Sequence, residues 1–327
     1  MAESPRRPRP LAPAKNESPS SELAACAIQS RGRGRAESPG VAQRLTDCLL
    51  LTKARANVAV VATTFVGFAL HADLPSNWRL LLHTLAGTGL LATSAAVANQ
   101  AMEQEFDRHM ARTCNRPIAA GRLHRRTAVW LSGALCGAGG LWLGAGVNLR
   151  ALVFAGLAFL IYVFLYTPLK RRTPACTLVG AISGALPLLV GWAATGAEFG
   201  LWAAVAFAVL FLWQIPHFLA IAWRHRVDYL GAGYRVLCHG DHQGRRTAVW
   251  ALVFTVAVFA ISLVPALADR VTDWYWPGGL ASGILFSIAA FRFLVSRTEV
   301  AARSLFLASL YYLPAVYLLM LLCRIRS

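Results

Sequence analysis

Charge is scarce in this chain of 327 residues, and carboxylates are its scarcest part. Only 14% of the residues are Asp, Glu, Lys or Arg, and 15 acidic residues stand against 32 basic ones, a formal net charge of +17. A soluble globular chain carries about 25% charged residues. That scarcity, with 57% hydrophobic residues and a mean hydropathy of +0.51, excludes a soluble enzyme and a disordered protein alike. On a soluble chain the basic excess would suggest nucleic acid. On a membrane chain it points to basic loops facing anionic lipid, and no nucleic-acid partner is expected. Cysteine patterning is also missing. Cys26, Cys48, Cys114, Cys136, Cys176, Cys238 and Cys323 form no CxxC pair, so neither a disulfide framework nor a zinc site is expected. No apolar stretch follows the first basic residues, so no secretory signal is expected. Glu3, Glu17, Glu22 and Glu37 fit poorly with a transit peptide.

What is present falls into two parts. Residues 1–44, rich in Pro, Ser and Arg, lack apolar periodicity and read as a disordered basic tail. Residues 45–327 read as one membrane domain, because from about Asn57 the chain is a series of apolar runs long enough to cross roughly 30 Å of hydrocarbon as helices. Nine are predicted: Asn57–His71, Leu80–Ala98, Thr127–Val147, Leu149–Tyr166, Thr177–Thr195, Leu201–Trp223, Thr247–Leu267, Pro277–Val295 and Ser304–Cys323. The first is short, and the break at Asn148 leaves almost no loop. Glycines four apart (Gly133/Gly137, Gly140/Gly144, Gly180/Gly184, Gly279/Gly283) predict close helix packing. Arginine-rich loops alternate with poor ones, which places the N-terminus and the loops around residues 108–126, 170–172, 224–246 and 297–303 on the cytoplasmic or matrix side. Arg324 and Arg326 dissent, since nine spans put the C-terminus on the other side.

Chemistry concentrates on the basic side. Asn99, Glu103 and Asp107 lie four apart, so a helix running on past the membrane surface puts them on one face, drifting about 40° per step. Two carboxylates and an amide suit Mg²⁺, which completes its shell with water and phosphate oxygens. Arg112 and Arg116 follow at the same spacing, and guanidinium groups suit phosphate. The same residues could equally form i,i+4 ion pairs on a wet helix. A second cluster lies in FLWQIPHFLAIAWRHRVDY, where Pro216 is expected to break or kink the sixth span beside His217, and Asp228 follows in a loop on the same side. His217 has two readings, a structural hydrogen-bonding residue or a contact to a buried substrate or metal. Tyr166, Lys170 and Arg171 close the fourth span, as interfacial anchors or as diphosphate ligands.

These segments together resemble the UbiA superfamily of intramembrane prenyltransferases. Asn99, Glu103 and Asp107 with Arg112-Thr113-Cys114-Asn115-Arg116-Pro117 are similar to its first motif, and Tyr166-Thr167 with Lys170-Arg171 to another. Trp213-Gln214-Ile215-Pro216-His217-Phe218, then Asp228-Tyr229 and Ala232-Gly233, resemble its haem-farnesylating branch. The resemblance runs from Leu51-Thr52-Lys53 to Arg303–Ser309. It implies an all-α bundle of about nine transmembrane helices that transfers farnesyl from farnesyl diphosphate to a vinyl group of haem b, with addition of water, to form haem O. It also implies Mg²⁺ held by Asn99, Glu103, Asp107 and Asp228; catalysis by these four with Lys170 and Arg171; and substrate contacts from Arg112, Asn115, Arg116, Tyr166, Trp213, Gln214, His217 and Tyr229, His217 as a candidate axial ligand of the haem iron. The expected setting is a bacterial inner (plasma) membrane rather than a mitochondrial one, with a haem A synthase or a terminal oxidase under assembly as candidate recipients of the product. Three positions depart from the pattern: Val227 replaces an acidic residue, Cys176 an Asn and Leu188 a Pro. Rival readings are a prenyltransferase for another aromatic acceptor and a transport or haem-handling protein.

Overall fold

The computed structural model describes residues 40–325 apart from 232 and 236. Among these residues there is no β-strand, only an isolated bridge between Val271 and Arg324, and the chain is a bundle of helices. All nine expected spans appear: α2 (Ala54–Ala69), α3 (Leu74–Arg108), α4 (Arg125–Gly146), α5 (Leu149–Leu169), α6 (Cys176–Ala194), α7 (Leu201–Arg224), α9 (Arg245–Leu267), α10 (Tyr275–Ser296) and α11 (Glu299–Cys323). Eight are long and apolar enough to cross a bilayer alone. The ninth, α2, follows α1 (Val41–Leu51) across a 50° bend. Helix α1 begins inside the stretch read as tail up to residue 44; the rest of that tail lies outside the described residues. A short α8 (Arg226–Gly231) lies in the loop after α7.

The site is placed by the length of α3. Beyond a kink at Asn77 it runs on unbroken to Arg108, which at 1.5 Å per residue is longer than the roughly 30 Å the hydrocarbon needs. Its last turns therefore project beyond the membrane zone, yet Asn99, Glu103 and Asp107 are all buried there. Helix α5 bears on the same end, where residues Ile161–Tyr166 form a π-helical turn. The wider turn brings the Tyr162 and Tyr166 rings to 5.3 Å, and Thr167 donates to the Tyr162 carbonyl at 2.8 Å.

Small residues hold the frame. A Cβ on Gly67 would sit 1.9 Å from the Leu188 carbonyl oxygen, and one on Gly191 1.9 Å from that of Thr64, so α2 and α6 cross with their backbones in contact. Gly180 receives the Tyr166 ring, Gly184 the Gln214 amide and Gly283 the Phe259 ring. Gly133 and Gly137 depart from the expectation. Nothing lies within 4 Å of a Cβ at either, because that stretch of α4 faces outward beside Trp130 and Leu141. Leu188 is wholly buried at the α2 crossing.

Three further expectations change. Helix α7 runs unbroken through Pro216. Cys114 is disulfide-bonded, although the spacings suggested no disulfide. The dissenting Arg324 has a local reason at the end of the bundle opposite the site. Its guanidinium donates to the Ala69 carbonyl at 2.7 Å, satisfying an orphan acceptor at the C-terminus of α2. The abrupt turn at Asn148 is equally explicit. The Asn148 side chain accepts from the Ala151 N–H at 2.8 Å as an N-cap and donates to the Ala193 and Ala194 carbonyls.

Candidate active site

Each of the three motif residues on the buried end of α3, Asn99, Glu103 and Asp107, meets a cation, while Gln100 beside them donates to the Leu50 and Leu51 carbonyls. Lys53 donates to Asn99 Oδ1, Lys170 Nζ lies 2.9 Å from Glu103 Oε1, and Arg116 grips both oxygens of Asp107 at 2.8 and 2.9 Å. The wet-helix alternative is thereby overturned for Glu103 and Asp107. The i,i+3 surface pair on this helix is instead the exposed Arg108–Glu105. Each cation comes from a different segment: Lys53 from the bend between α1 and α2, Arg116 from the α3–α4 loop and Lys170 from the end of α5. Lys53 adopts a left-handed backbone (φ 48°), a costly conformation for a residue with a Cβ, held where its ammonium reaches Asn99 and Tyr162.

Burial would discharge Lys170, but the Glu103 carboxylate and then the Tyr166 phenol outweigh it and hold the ammonium well above its ordinary range. Burial, then Glu103, pushes the Tyr234 phenol upward. These groups open onto a cavity of about 120 Å³ lined by Lys53, Glu103, Asp107, Arg112, Arg116, Tyr166, Lys170, Cys176, Tyr229 and Tyr234, with Phe218 and Leu219 of α7 as its apolar wall. Arg112 donates to the Tyr229 hydroxyl at 3.2 Å. The Arg235 N–H donates to the Lys170 carbonyl at 2.8 Å and ties the α7–α9 loop across the mouth.

Other expected residues lie elsewhere. Asn99 is wholly buried behind Lys53, its amide donating to Thr167 at 3.0 Å, and it does not line the cavity. Asp228 stands on α8 with one oxygen 3.9 Å from His225 Nδ1, also outside the lining. Burial, then Arg112 and Arg224, lowers the pKa of His225. Asn115 is exposed, its carbonyl accepting from Arg122, and Val227 points outward. Arg171 stacks on Phe106 at 4.0 Å, with a buried Nε that has no partner.

The second cluster forms a separate group between α7 and α11. Trp213 and His217 stack with ring centroids 4.7 Å apart, Phe306 lies 5.0 Å from the imidazole, and Trp213 Nε1 donates to the Ser309 carbonyl at 2.7 Å. Ser309 Oγ donates its one proton to the Phe306 carbonyl at 2.6 Å. His217 Nδ1, 2.8 Å from the same oxygen, must therefore donate, which leaves the Nε2 lone pair exposed. Gln214 faces α6 and donates to the Ala181 carbonyl at 3.1 Å.

Comparison with known proteins decides between the rival readings. Residues 60–313 match the model of the UbiA prenyltransferase family. The chain belongs to the UbiA prenyltransferase family. The chain is 40% identical over 289 residues to the protoheme IX farnesyltransferase of Solibacter usitatus, covering 86% of this chain and 99% of that one. It is 36% identical over 287 residues to the human mitochondrial protoheme IX farnesyltransferase, covering 88% of this chain and 62% of the relative. Solved UbiA-type structures share the fold. A digeranylgeranylglyceryl phosphate synthase superposes with a TM-score of 0.69 at 17% identity, over 85% of this chain and 98% of that one. A UbiA homologue from Archaeoglobus fulgidus bound to GPP and Mg²⁺ gives 0.57 at 16% identity, over 84% and 99%.

That homologue is bound to Mg²⁺ as well as to GPP, and the donor set of the present cavity fits a divalent cation. Among the described residues no three His, Cys, Asp or Glu side chains converge, so a shell built from protein alone is not available. Glu103 and Asp107 share an open cavity, the arrangement Mg²⁺ accepts when phosphate and water complete its shell. Reading the motifs missed Lys53 and Tyr234. The segment Leu51-Thr52-Lys53 marked where the resemblance begins, but only the tertiary fold shows its lysine reaching the buried Asn99.

Proposed function

We propose that this chain transfers the farnesyl group of farnesyl diphosphate to a vinyl group of haem b, forming haem O. The observation that carries the reading is the cavity in which two buried carboxylates on one face of α3 meet four cations. The names of the relatives support the choice of substrates. The diphosphate lies among Lys53, Arg112, Arg116 and Lys170, and the isoprenoid chain runs along the apolar wall formed by Phe218 and Leu219. Glu103 and Asp107 hold Mg²⁺, which supplies positive charge against the departing diphosphate. Asn99, behind Lys53, would stand as a further oxygen donor beside them.

The four cations stabilise the charge that builds on the leaving oxygen, so the allylic C–O bond breaks. Apolar helices keep bulk water from the farnesyl cation. The terminal vinyl carbon of the haem forms the new C–C bond, water adds at the inner carbon, and one proton is lost as diphosphate leaves. His217 contacts the haem iron through Nε2, with Ser309 fixing the tautomer. This end of the bundle faces the cytoplasm at a bacterial plasma membrane, a reading that the basic loops support for the side of the membrane. Arg171, Tyr229 and Asp228 act from the rim of the cavity.

The test is to incubate the purified protein with haem b, farnesyl diphosphate and Mg²⁺, and to analyse the extracted haem by mass spectrometry with Asp107→Ala alongside. Haem O from the wild type only is the expected result. Unchanged haem, with farnesyl transferred to another aromatic acceptor as pyrophosphate is released, would sink the haem assignment.

A further inference from the structure

The polarity of α1 is inverted. Gln43, Asp47 and Leu51, four apart, face the protein, and of these only Leu51 is fully buried. Asp47 accepts from the Arg122 guanidinium at 2.7 and 2.9 Å, and Gln43 donates to Asp47 at 3.0 Å. The outward positions Val41, Leu45 and Leu49 are 76%, 62% and 60% exposed, with Cys48 exposed beside them. The arc from Cys48 through Val41 and Leu45 to Leu49 covers about 100°, the width of the apolar stripe that a helix ordinarily turns towards a core. The bundle offers this arc no core, but the bilayer offers it a surface. Helix α1 meets the span α2 at a 50° bend, at the basic end of the molecule. A helix that leaves a span at such an angle runs obliquely across the headgroup layer, where an apolar face reaches the acyl boundary. Arg44 borders the arc, and Arg55, Arg125 and Arg126 are exposed in the first turns of α2 and α4 at the same end. Their charge complements anionic headgroups.

The other end of α1 reaches the cavity. Gln100 Nε2 donates to the Leu50 and Leu51 carbonyls, each at 2.8 Å, which fastens the last turn of α1 to the α3 residue beside Asn99. Two residues on, Lys53 takes up its left-handed backbone and donates to Asn99. A cation of the cavity therefore sits at the pivot between α1 and α2. We propose that α1 docks on the lipid headgroup layer around the bundle, favouring anionic lipid, and that this docking holds Lys53 in the cavity. Val41, Leu45 and Leu49 lie among lipid chains while Asp47 keeps Arg122. When α1 lifts from the lipid, the pivot turns and Lys53 withdraws. The link to Lys53 rests on the diphosphate reading above; the docking does not.

The experiment uses the full-length protein in nanodiscs of phosphatidylcholine with phosphatidylglycerol, and of phosphatidylcholine alone. A nitroxide on Cys48 reports depth by power saturation with oxygen and a water-soluble nickel complex, with labelled Cys48→Ser protein as background. In anionic discs the label should meet oxygen rather than nickel. It should lie shallower in phosphatidylcholine alone, and Leu45→Asp should move it into water, whereas Leu45→Phe should not. Inorganic pyrophosphate is then titrated by calorimetry with Mn²⁺ present. Leu45→Asp and Lys53→Met should each weaken its binding by about tenfold, the worth of one hydrogen bond to a charged group. The double variant should be no weaker than either alone, because both remove the same contact. A wild-type label open to nickel in anionic discs would overturn the docking, and spin–spin broadening would give the face to a second copy instead. Equal depth in both lipids would overturn the anionic preference. Additive losses from Leu45→Asp and Lys53→Met would overturn the link to Lys53. A wild-type label at depth with no pyrophosphate bound would overturn the diphosphate reading and leave the docking standing.

Discussion

Two polar clusters lie in this apolar bundle, and they are stabilised in opposite ways. At the end of α3, the carboxylates of Glu103 and Asp107 are buried only because Lys170 and Arg116 neutralise them. Between α7 and α11, Trp213, His217 and Ser309 are held by neutral hydrogen bonds and ring stacking, with no charge involved. The first cluster can exchange its internal partners for charged ligands. The second is already satisfied except at one imidazole nitrogen, and so can only add a ligand. A leaving diphosphate needs the former, and the flat, apolar ring of an aromatic acceptor suits the latter.

The sharpest way to break this contrast is to cripple each cluster in turn. Asp107→Ala should lower the rate of haem farnesylation by about 100-fold or more, the range seen when a charge-stabilising group is removed, while the absorption spectrum of bound haem stays as in the wild type. His217→Ala should do the reverse, shifting or abolishing that spectrum while pyrophosphate with Mn²⁺ still binds. A variant that abolished both readouts would merge the clusters into one site.

A smaller effect is expected from Ser309→Ala. It removes the acceptor that fixes the His217 tautomer without touching a ligand, and supporting groups of this kind are worth about 10–100-fold in affinity. Weaker haem binding, with pyrophosphate titrations unchanged, would confirm the division; no change in haem affinity would show that stacking on Trp213 alone orients the ring. The smallest effect concerns pH. The pKa of Lys170 is raised on folding, so its stabilising contribution is complete below the ordinary value of about 10.5 and is lost only as pH climbs through the higher folded value. Thermal melts of the wild type should therefore show no loss from this pair between pH 7 and 9 and a decline beyond pH 10.5. Lys170→Met should flatten that alkaline decline.

Much of this was legible in the order of residues alone. The apolar runs fixed nine spans because a bilayer leaves the backbone no alternative to helix, and the four-residue spacing of Asn99, Glu103 and Asp107 put them on one face by helical geometry. What spacing could not reveal is which residues from other segments arrive there. Lys53 is 46 residues from Asn99, and its reach depends on a left-handed backbone at the α1–α2 bend. Asp228 reads as a fourth ligand in the sequence, yet α8 sets it beside His225, outside the cavity lining. Gly133 and Gly137 carry the same pattern as Gly180 and Gly184, but only the latter pair meets a neighbour.

The sequence by itself therefore determined the membrane bundle, its basic end and the family, because these follow from hydropathy, charge and motifs that are local in the chain. Only the tertiary structure decided that Asn99, Glu103 and Asp107 are each met by a cation of their own, and that Ser309 holds His217 Nδ1. Both are pairings between distant segments, and their energies come from burial and distance, which no local pattern encodes.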